Sequence, residues 1–207
     1  MGALDFNTWV ARWFEGKSFT VDWASHNFSN WAYTLAELRA KPLSILEIGS
    51  WEGRSALFFL NYLPLSRITC IDTFEGSKEH HNRPGWERFI AESEGRFDAN
   101  LAAFAGRADK IKLPSVAGLA QLAARGARFD LIYIDGSHVA ADVYADATGS
   151  WALLKAGGIM IFDDYLWDNV PEEAERPKPG IDAFMAEHEG DYHVLHRGYQ
   201  MILLRKC

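Results

Sequence analysis

The sequence predicts an α/β protein built on a doubly wound, mostly parallel seven-stranded sheet, with helices on both faces and a C-terminal antiparallel hairpin. Three observations predict this fold. Several short apolar runs lack the polar alternation of a half-exposed strand, which indicates strands covered on both faces. Stretches with apolar residues at helical spacing separate these runs, as in repeated βαβ units. The last two runs flank Arg197-Gly198, a dipeptide typical of an antiparallel turn.

The predicted elements follow one another from about residue 44. Four strands read as buried, a fifth is weaker and is stopped by Pro114, and two more form the hairpin; in chain order the seven cover residues 45–48, 68–71, 110–113, 131–134, 159–162, 192–195 and 199–204. Helical spacing covers residues 86–104, 139–151 and about 181–188. The charged, proline-rich residues 172–179 predict a loop that runs over the surface.

The N-terminal residues differ from the rest because they look helical and carry no strand pattern. They hold four of the tryptophans, which are Trp9, Trp13, Trp23 and Trp31. We expect residues 1–40 to form a helical extension that acts as a lid or a subunit contact. Residues 41–207 are then expected to form the ligand-binding sheet domain.

Composition excludes several classes of protein. The chain has 207 residues, of which 48% are hydrophobic and 24% charged, so it is long enough for a core and is neither disordered nor fibrous. Its net charge of -7 argues against non-specific nucleic-acid binding. No apolar run is long enough to cross a bilayer, and no signal-peptide pattern is present. We expect a cytoplasmic protein with no nucleic-acid or membrane partner, and a homodimer, which is the commonest assembly of soluble oligomers.

A glycine loop after the first strand predicts a ligand site. Gly49 and Gly53 permit a tight turn at the carboxyl end of a strand, but Trp51 occupies the place of the middle glycine of a dinucleotide loop. Glu47 lies in an apolar strand and needs a partner, such as a cationic amine, and Asp72 stands where an acid accepts ribose hydroxyls. S-adenosylmethionine fits this description better than NAD. Taken singly, the glycines read as turns and Asp72 as a cap.

A family resemblance rests on five motifs. These are LEIG-x-x-x-G-x-S from Leu46, ID at residues 71–72, IDGSH at 134–138, LKAGG at 154–158 and FDDYLW at 162–167. Over residues 44–167 the chain resembles class I (Rossmann-like) S-adenosylmethionine-dependent methyltransferases, especially small O-methyltransferases of the catechol, caffeoyl-coenzyme A and macrolide-sugar types. The resemblance implies cofactor binding by Glu47, Gly49, Ser50, Trp51, Gly53, Ser55, Asp72, Thr73, Ser115, Val116 and Asp135. Ser115 is equally suited to capping the helix that follows it.

Three acids follow the fourth and fifth predicted strands. Asp135, Asp163 and Asp164 are expected to converge at the sheet edge, where a divalent cation such as Mg²⁺ would relieve their repulsion. The resemblance implies that these three residues hold the metal, although Asp164 stands where the family usually has Asn. Adjacent strand residues point to opposite faces, so both ligate only if the chain has begun to turn. Otherwise one or both acids cap turns or pair with Arg.

His138 is a candidate general base. It lies three residues after Asp135, where catechol-like members have lysine and the macrolide-sugar members have a histidine base. A neutral imidazole accepts a hydroxyl proton near neutral pH. The alternative is that His138 packs at the start of the next helix or stacks on adenine. The expected catalytic residues are therefore His138, Asp135 and Asp163.

These observations predict an S-adenosylmethionine-dependent O-methyltransferase, with Mg²⁺ assistance where the acids bind metal. The expected acceptor is a small hydroxylated molecule: a sugar, a phenol or a secondary metabolite. Transfer to nitrogen stays open. The alternatives are an NAD-linked oxidoreductase on a Rossmann sheet and a non-catalytic S-adenosylmethionine-binding module.

Overall fold

A computed structural model describes residues 5–207. The chain divides into two compact units. The first unit comprises the residues up to Leu43, together with Ser50–Ile68 and Phe74–Asp109. The second unit comprises Ser44–Gly49, Thr69–Thr73 and Lys110–Cys207. Residues 1–4 of the predicted N-terminal extension lie outside the described residues.

The strands form one seven-stranded sheet. They are β1 Ser44–Ile48, β2 Arg67–Ile71, β3 Ala108–Ile111, β4 Phe129–Ile134, β5 Leu154–Phe162, β6 Tyr192–Arg197 and β7 Met201–Arg205, in the order β3-β2-β1-β4-β5-β7-β6. Strand β4 is parallel to both β1 and β5, whereas β7 is antiparallel to β5 and to β6. The predicted fold class is confirmed, including the antiparallel hairpin at the C-terminus.

Eight α-helices are present among residues 5–207. They are α1 Phe6–Ala11, α2 Phe28–Thr34, α3 Arg54–Tyr62, α4 Lys78–His81, α5 Glu87–Leu101, α6 Ser115–Ala124, α7 Ala140–Trp151 and α8 Pro177–Glu187. Between α1 and α2, residues 17–24 run as an irregular segment. None of the helices in the described part of the chain has the length and apolar character that crossing a bilayer requires.

The core of the second unit explains why its strands read as unbroken apolar runs. Leu46 of β1, Ile132 of β4 and Met160 of β5 are fully buried, and the helices α7 and α8 add Ala147 and Phe184 to the same cluster. Because helices and strands bury these side chains on all sides, polar alternation would leave unsatisfied groups in the core.

The strand register brings the carboxyl ends of three strands to one level. Ile48 pairs with Ile134, and Ile134 pairs with Phe162. The next residues continue this alignment, since the amide of Asp135 donates to the Ile48 carbonyl at 2.8 Å and that of Asp163 to the Ile134 carbonyl at 2.9 Å. The acids after β4 and β5 are therefore neighbours.

Two predicted boundaries are wrong. The predicted loop at residues 172–179 is partly helical, because a 3-10 turn spans Glu173–Glu175 and α8 begins at Pro177. A proline is accepted at the first helical position, where its missing N–H has no intrahelical partner. The weak strand at residues 110–113 lies two residues earlier, as β3.

Candidate active site

Within the second unit, a tyrosine joins the two acids that directly follow β4 and β5. The Tyr133 hydroxyl lies 2.9 Å from Oδ2 of Asp135 and is also in very short contact with Oδ2 of Asp163. A phenol carries one proton, so it cannot donate to two fully ionised carboxylates at once. The two carboxylates therefore compete for a single donor.

The pKa values of these groups are raised for the same physical reason. Burial raises the pKa of Asp135 well above its usual range, and the charges of Asp163 and Asp164 raise it further. Burial, followed by the charge of Asp164, raises the pKa of Asp163 to about 6. Burial and the two aspartates also raise the pKa of Tyr133. The site gathers more negative charge than its own residues neutralise.

Asp164 turns towards the same group. Its φ of 56° lies in the left-handed region, which aspartate tolerates better than most side chains. Its carboxylate lies 2.8 Å from Nε2 of His138 and accepts the Tyr199 hydroxyl at 2.6 Å. Its amide donates to Oδ1 of Asp163 at 2.8 Å. The chain has begun to turn after β5, which is the condition for Asp163 and Asp164 to act together.

His138 is held between an acid and an indole. Its ring stacks on Trp167 at a centroid distance of 4.4 Å, while Nε2 faces Asp164. The carboxylate and the indole together fix the orientation of the imidazole. His138 lies two residues before the start of α7 at Ala140.

The three acids lie in one network, but not in a coordination geometry. Among residues 5–207, no group of three or more His, Cys, Asp and Glu side chains is arranged to hold a metal ion. The reason is visible in the hydrogen bonds: Tyr133, Tyr199 and His138 engage oxygens of Asp135, Asp163 and Asp164.

The predicted cofactor residues in or directly after β1 and β2 lie towards the carboxyl ends of these strands. Glu47 is fully buried, and the thiol of Cys70 donates to its Oε2 at 3.4 Å. Gly49 has φ 80°, and a Cβ there would lie 2.0 Å from the Asp135 carbonyl oxygen. This glycine therefore allows β1 to end against the chain that leaves β4. Asp72 and Thr73 follow β2 and are half-buried.

Ser115 and Val116 begin α6. Pro114 occupies the N-cap position and Ser115 is the first helical residue, so the alternative that Ser115 is the N-cap is wrong. Its hydroxyl is hydrogen-bonded to Asp146 of α7, which is 2% exposed. Burial raises the pKa of Asp146 to about 6. Val116 is 62% exposed.

The remaining predicted cofactor residues belong to the first unit. Ser50 and Ser55 are buried, and a Cβ on Gly53 would lie 3.1 Å from the Phe97 ring. Trp51 has φ 46°, and its ring stacks on His80 at 4.9 Å. This bulky residue adopts a backbone conformation that glycine usually fills.

Sequence reasoning missed four residues of the site. Tyr133 lies on β4 two residues before Asp135, which directly follows the strand, so the strand period of two predicts that both side chains point to one face. Asp146 is a polar residue on the apolar face of α7, a pattern that signals a buried partner. Tyr199 and Gln200 come from the hairpin, and the Gln200 side chain is hydrogen-bonded to Asp163. Their positions gave no local signal.

Comparisons with known proteins agree with this architecture. MycE, from the mycinamycin biosynthetic pathway, was solved with Mg, SAH and mycinamycin VI; it superposes with a TM-score of 0.65 at 18% identity, over 99% of this chain and 55% of MycE. TomG, an O-methyltransferase from Streptomyces achromogenes involved in tomaymycin synthesis and solved with SAM, gives 0.62 at 20% identity, over 96% and 86% of the two chains. An O-methyltransferase from Bacillus cereus in complex with SAH gives 0.61 at 17% identity, over 99% and 93%.

The chain thus spans about half the length of MycE, 55%. A comparison with curated protein sequences gives no match. The sequence profile of a family described as "Methyltransferase domain" matches residues 46–165, which include the glycine loop, Asp72, Asp135, His138 and the acid pair after β5. More than half of the chain carries this match and the fold agrees with it, so the protein belongs to the methyltransferase-domain family that its motifs resemble.

Proposed function

We propose that this chain transfers a methyl group from S-adenosylmethionine to a hydroxyl of a small acceptor, a sugar, a phenol or a secondary metabolite. One observation carries the proposal: Asp135, Asp163, Asp164 and His138 form a single hydrogen-bonded group at the carboxyl ends of β4 and β5. Open α/β sheets bind their ligands at this edge. A buried excess of carboxylates beside an oriented imidazole suits proton removal.

The cofactor residues are proposed from their positions after β1, β2 and β3. Glu47 supplies a buried negative charge for the cationic amino group, and Asp72 with Thr73 follows the strand end suited to ribose hydroxyls. Ser115 and Val116 at the start of α6, with Asp135 after β4, would line the adenine. Ser50, Trp51, Gly53 and Ser55 would present the loop to the methionine part.

A divalent cation fits the chemistry of the acids, because burial and, after it, the repulsion between the acids raise the pKa values of Asp135 and Asp163. Asp135, Asp163 and Asp164 would hold it after releasing the hydroxyls of Tyr133 and Tyr199. A bound Mg²⁺ would make the acceptor hydroxyl more acidic. The Mg found with MycE is consistent with such a site.

The proposed reaction needs no covalent enzyme intermediate. Neutral His138 accepts the proton of the acceptor hydroxyl, and Asp164 stabilises the resulting imidazolium. The acceptor oxygen forms a bond to the methyl carbon while the carbon–sulfur bond breaks. The electron pair of that bond stays on sulfur and leaves S-adenosylhomocysteine.

Equilibrium binding separates this proposal from its alternatives. Micromolar affinity for S-adenosylhomocysteine without NADH binding supports it, and the reverse result indicates an NAD-linked oxidoreductase. A labelled methyl group should then pass to members of a panel of sugars and phenols; binding without transfer to any of them would indicate a non-catalytic module. Small acceptors agree with the net charge of -7, which disfavours nucleic acid.

The metal is tested separately with Asp163→Ala. If methyl transfer and its response to EDTA are the same in this variant as in the wild type, the proposed metal role is wrong. A shared site predicts instead that EDTA slows the wild type and has little further effect on the variant. A homodimer and a cytoplasmic location remain expectations, which sedimentation and fractionation would test.

A further inference from the structure

Residues 17–25 of the first unit, which we call the N-terminal strap, contact the glycine loop at three positions. The loop residues involved are Trp51, Glu52 and Arg54. Each uses a different interaction: ring contact, hydrogen bonding to a buried carboxylate, and an ion pair. Three contacts of different kinds therefore join the strap to residues 51–54 of the loop.

Glu52 is the centre of these contacts. It is 1% exposed, and its carboxylate accepts the amide and the hydroxyl of Thr20, each at 2.5 Å. Arg96 of α5 adds an ion pair at 2.6 Å and also binds Glu92. A buried charge is tolerated only with such partners, and losing one donor leaves it partly uncompensated.

Asn100 of α5 joins the strap and the loop through their backbones. Its Oδ1 accepts the Ser18 amide at 3.0 Å, and its Nδ2 donates to the carbonyls of Ser18 and Glu52, both at 2.9 Å. Lys17 donates to the Asn100 carbonyl at 2.6 Å. One buried amide side chain therefore fixes the spacing between the two segments.

The C-terminal part of the strap contacts two loop residues, one on either side of Glu52. Arg54 forms an ion pair with Asp22 at 2.6 Å and donates to the Ser25 hydroxyl. Trp23 lies 6.1 Å from Trp51, the residue with the left-handed φ of 46°. A bulky residue stays in that conformation only when its surroundings hold it there.

We infer that the N-terminal strap is a positioning element for the cofactor loop, and that Glu52 is its central positioning residue. Bound to Glu52, the strap holds residues 50–55 in the conformation that receives S-adenosylmethionine. The conformational entropy of the loop is then lost when the protein folds and not when the ligand binds, so the affinity for the ligand is higher. This inference rests on the proposed function.

The test uses the full chain with Thr20→Val, which keeps the shape but removes the hydroxyl, and Thr20→Ser, which restores it. Glu52→Gln is the second variant. Isothermal titration should give wild-type affinity for S-adenosylhomocysteine in Thr20→Ser and an affinity about tenfold weaker, or ~1.4 kcal/mol, in Thr20→Val and Glu52→Gln. KM for S-adenosylmethionine should rise while kcat at saturation changes little.

Hydrogen exchange without ligand distinguishes a local effect on the loop from a change in the global stability of the protein. The amides of residues 50–55 should exchange faster in Thr20→Val than in the wild type, while the strands β4 and β5 keep their protection. Lys178→Ala, which breaks the exposed pair with Asp182 on α8, is the control and should change neither quantity.

Two results overturn the inference. In the first, the wild type binds S-adenosylhomocysteine and the Kd values of Thr20→Val and Glu52→Gln are both within twofold of the wild-type Kd. The proposed function would then stand, but the strap would have no positioning role. No binding of S-adenosylhomocysteine by the wild type would remove both.

Discussion

Tyr133 of β4 and Asp135, the residue directly after that strand, lie two residues apart and are joined by a hydrogen bond of 2.9 Å. The same hydroxyl also reaches Asp163, so one phenol links the ends of two strands. Its proton lowers the repulsion between carboxylates that burial has already made costly to ionise. The stability of the protein should therefore depend on this hydroxyl, and the dependence should vary with pH.

We expect Tyr133→Phe to destabilise the protein more at pH 7.5 than at pH 5. The pKa of Asp163 is about 6 in the folded state and that of Asp135 is also raised, so folding is penalised when these acids ionise and is favoured as pH falls through 6. Losing the phenol proton removes a contact that lowers both pKa values. Urea unfolding with EDTA present should show a loss of about 1–3 kcal/mol at pH 7.5.

The matched control is Tyr144→Phe, which removes a tyrosine hydroxyl bonded to Glu187 at an exposed position. Little change is expected at either pH. Equal losses at the two pH values in Tyr133→Phe would contradict the coupling to the acids.

His138→Gln should separate chemistry from cofactor binding. The glutamine fills similar space but cannot take a proton, so kcat should fall roughly 10²- to 10⁴-fold. The Kd for S-adenosylhomocysteine should stay close to that of the wild type. His193→Gln, at an exposed position on β6, is the control. Rates within threefold of the wild type in His138→Gln would exclude it as the base.

Gly49→Ala should cost more stability than its backbone conformation alone explains. The new Cβ would meet the Asp135 carbonyl at 2.0 Å, which pushes the ends of β1 and β4 apart. We expect a loss of about 2–5 kcal/mol in chemical denaturation. Gly126→Ala has a similar φ of +66° with no neighbour within 4 Å, so it should lose only about 1–2 kcal/mol. Similar losses in both variants would mean that contact with Asp135 plays no part.

Asp146→Asn should alter the pH dependence of unfolding below neutrality. The pKa of Asp146 is raised from 3.8 to about 6, so the folded wild type binds its proton more tightly and gains stability as pH falls from 6 to 4. The variant lacks this gain, on the order of 2–3 kcal/mol. Ser115→Ala removes the hydrogen bond that lowers this pKa and should make the gain larger. Parallel curves for Asp146→Asn and the wild type would contradict the assignment.

The parts of the fold that were predictable are those fixed by short-range patterns. Unbroken apolar runs located the strands, and the parallel pairing of β1, β4 and β5 then required Asp135 and Asp163 to meet. The first turn of α8 was not predictable as helix, because prolines such as Pro177 and Pro179 usually mark loops. The helix is stabilised by tertiary packing, since Ile181 and Phe184 are fully buried.

The polar partners of the site were harder to predict than its acids. Tyr133 and Asp146 carry signals that follow from strand and helix period, and an apolar context concealed them. Glu52, Thr20 and Arg96 give no such signal, because their ion pair and hydrogen bonds join segments more than 30 residues apart in sequence. Contacts of this kind depend on the folded path of the chain and not on any local pattern.

The C-terminal hairpin determines where a truncated form of this domain can end. The family match ends at residue 165, but Tyr199 donates to Asp164 at 2.6 Å and Gln200 is bonded to Asp163. A recombinant fragment trimmed to the matched region would keep the three acids and the imidazole. It would lose Tyr199, Gln200, the Trp167 ring that stacks on His138, and the strand β7 that pairs with β5. Chimeras and truncations should therefore be joined beyond Arg205, where β7 ends.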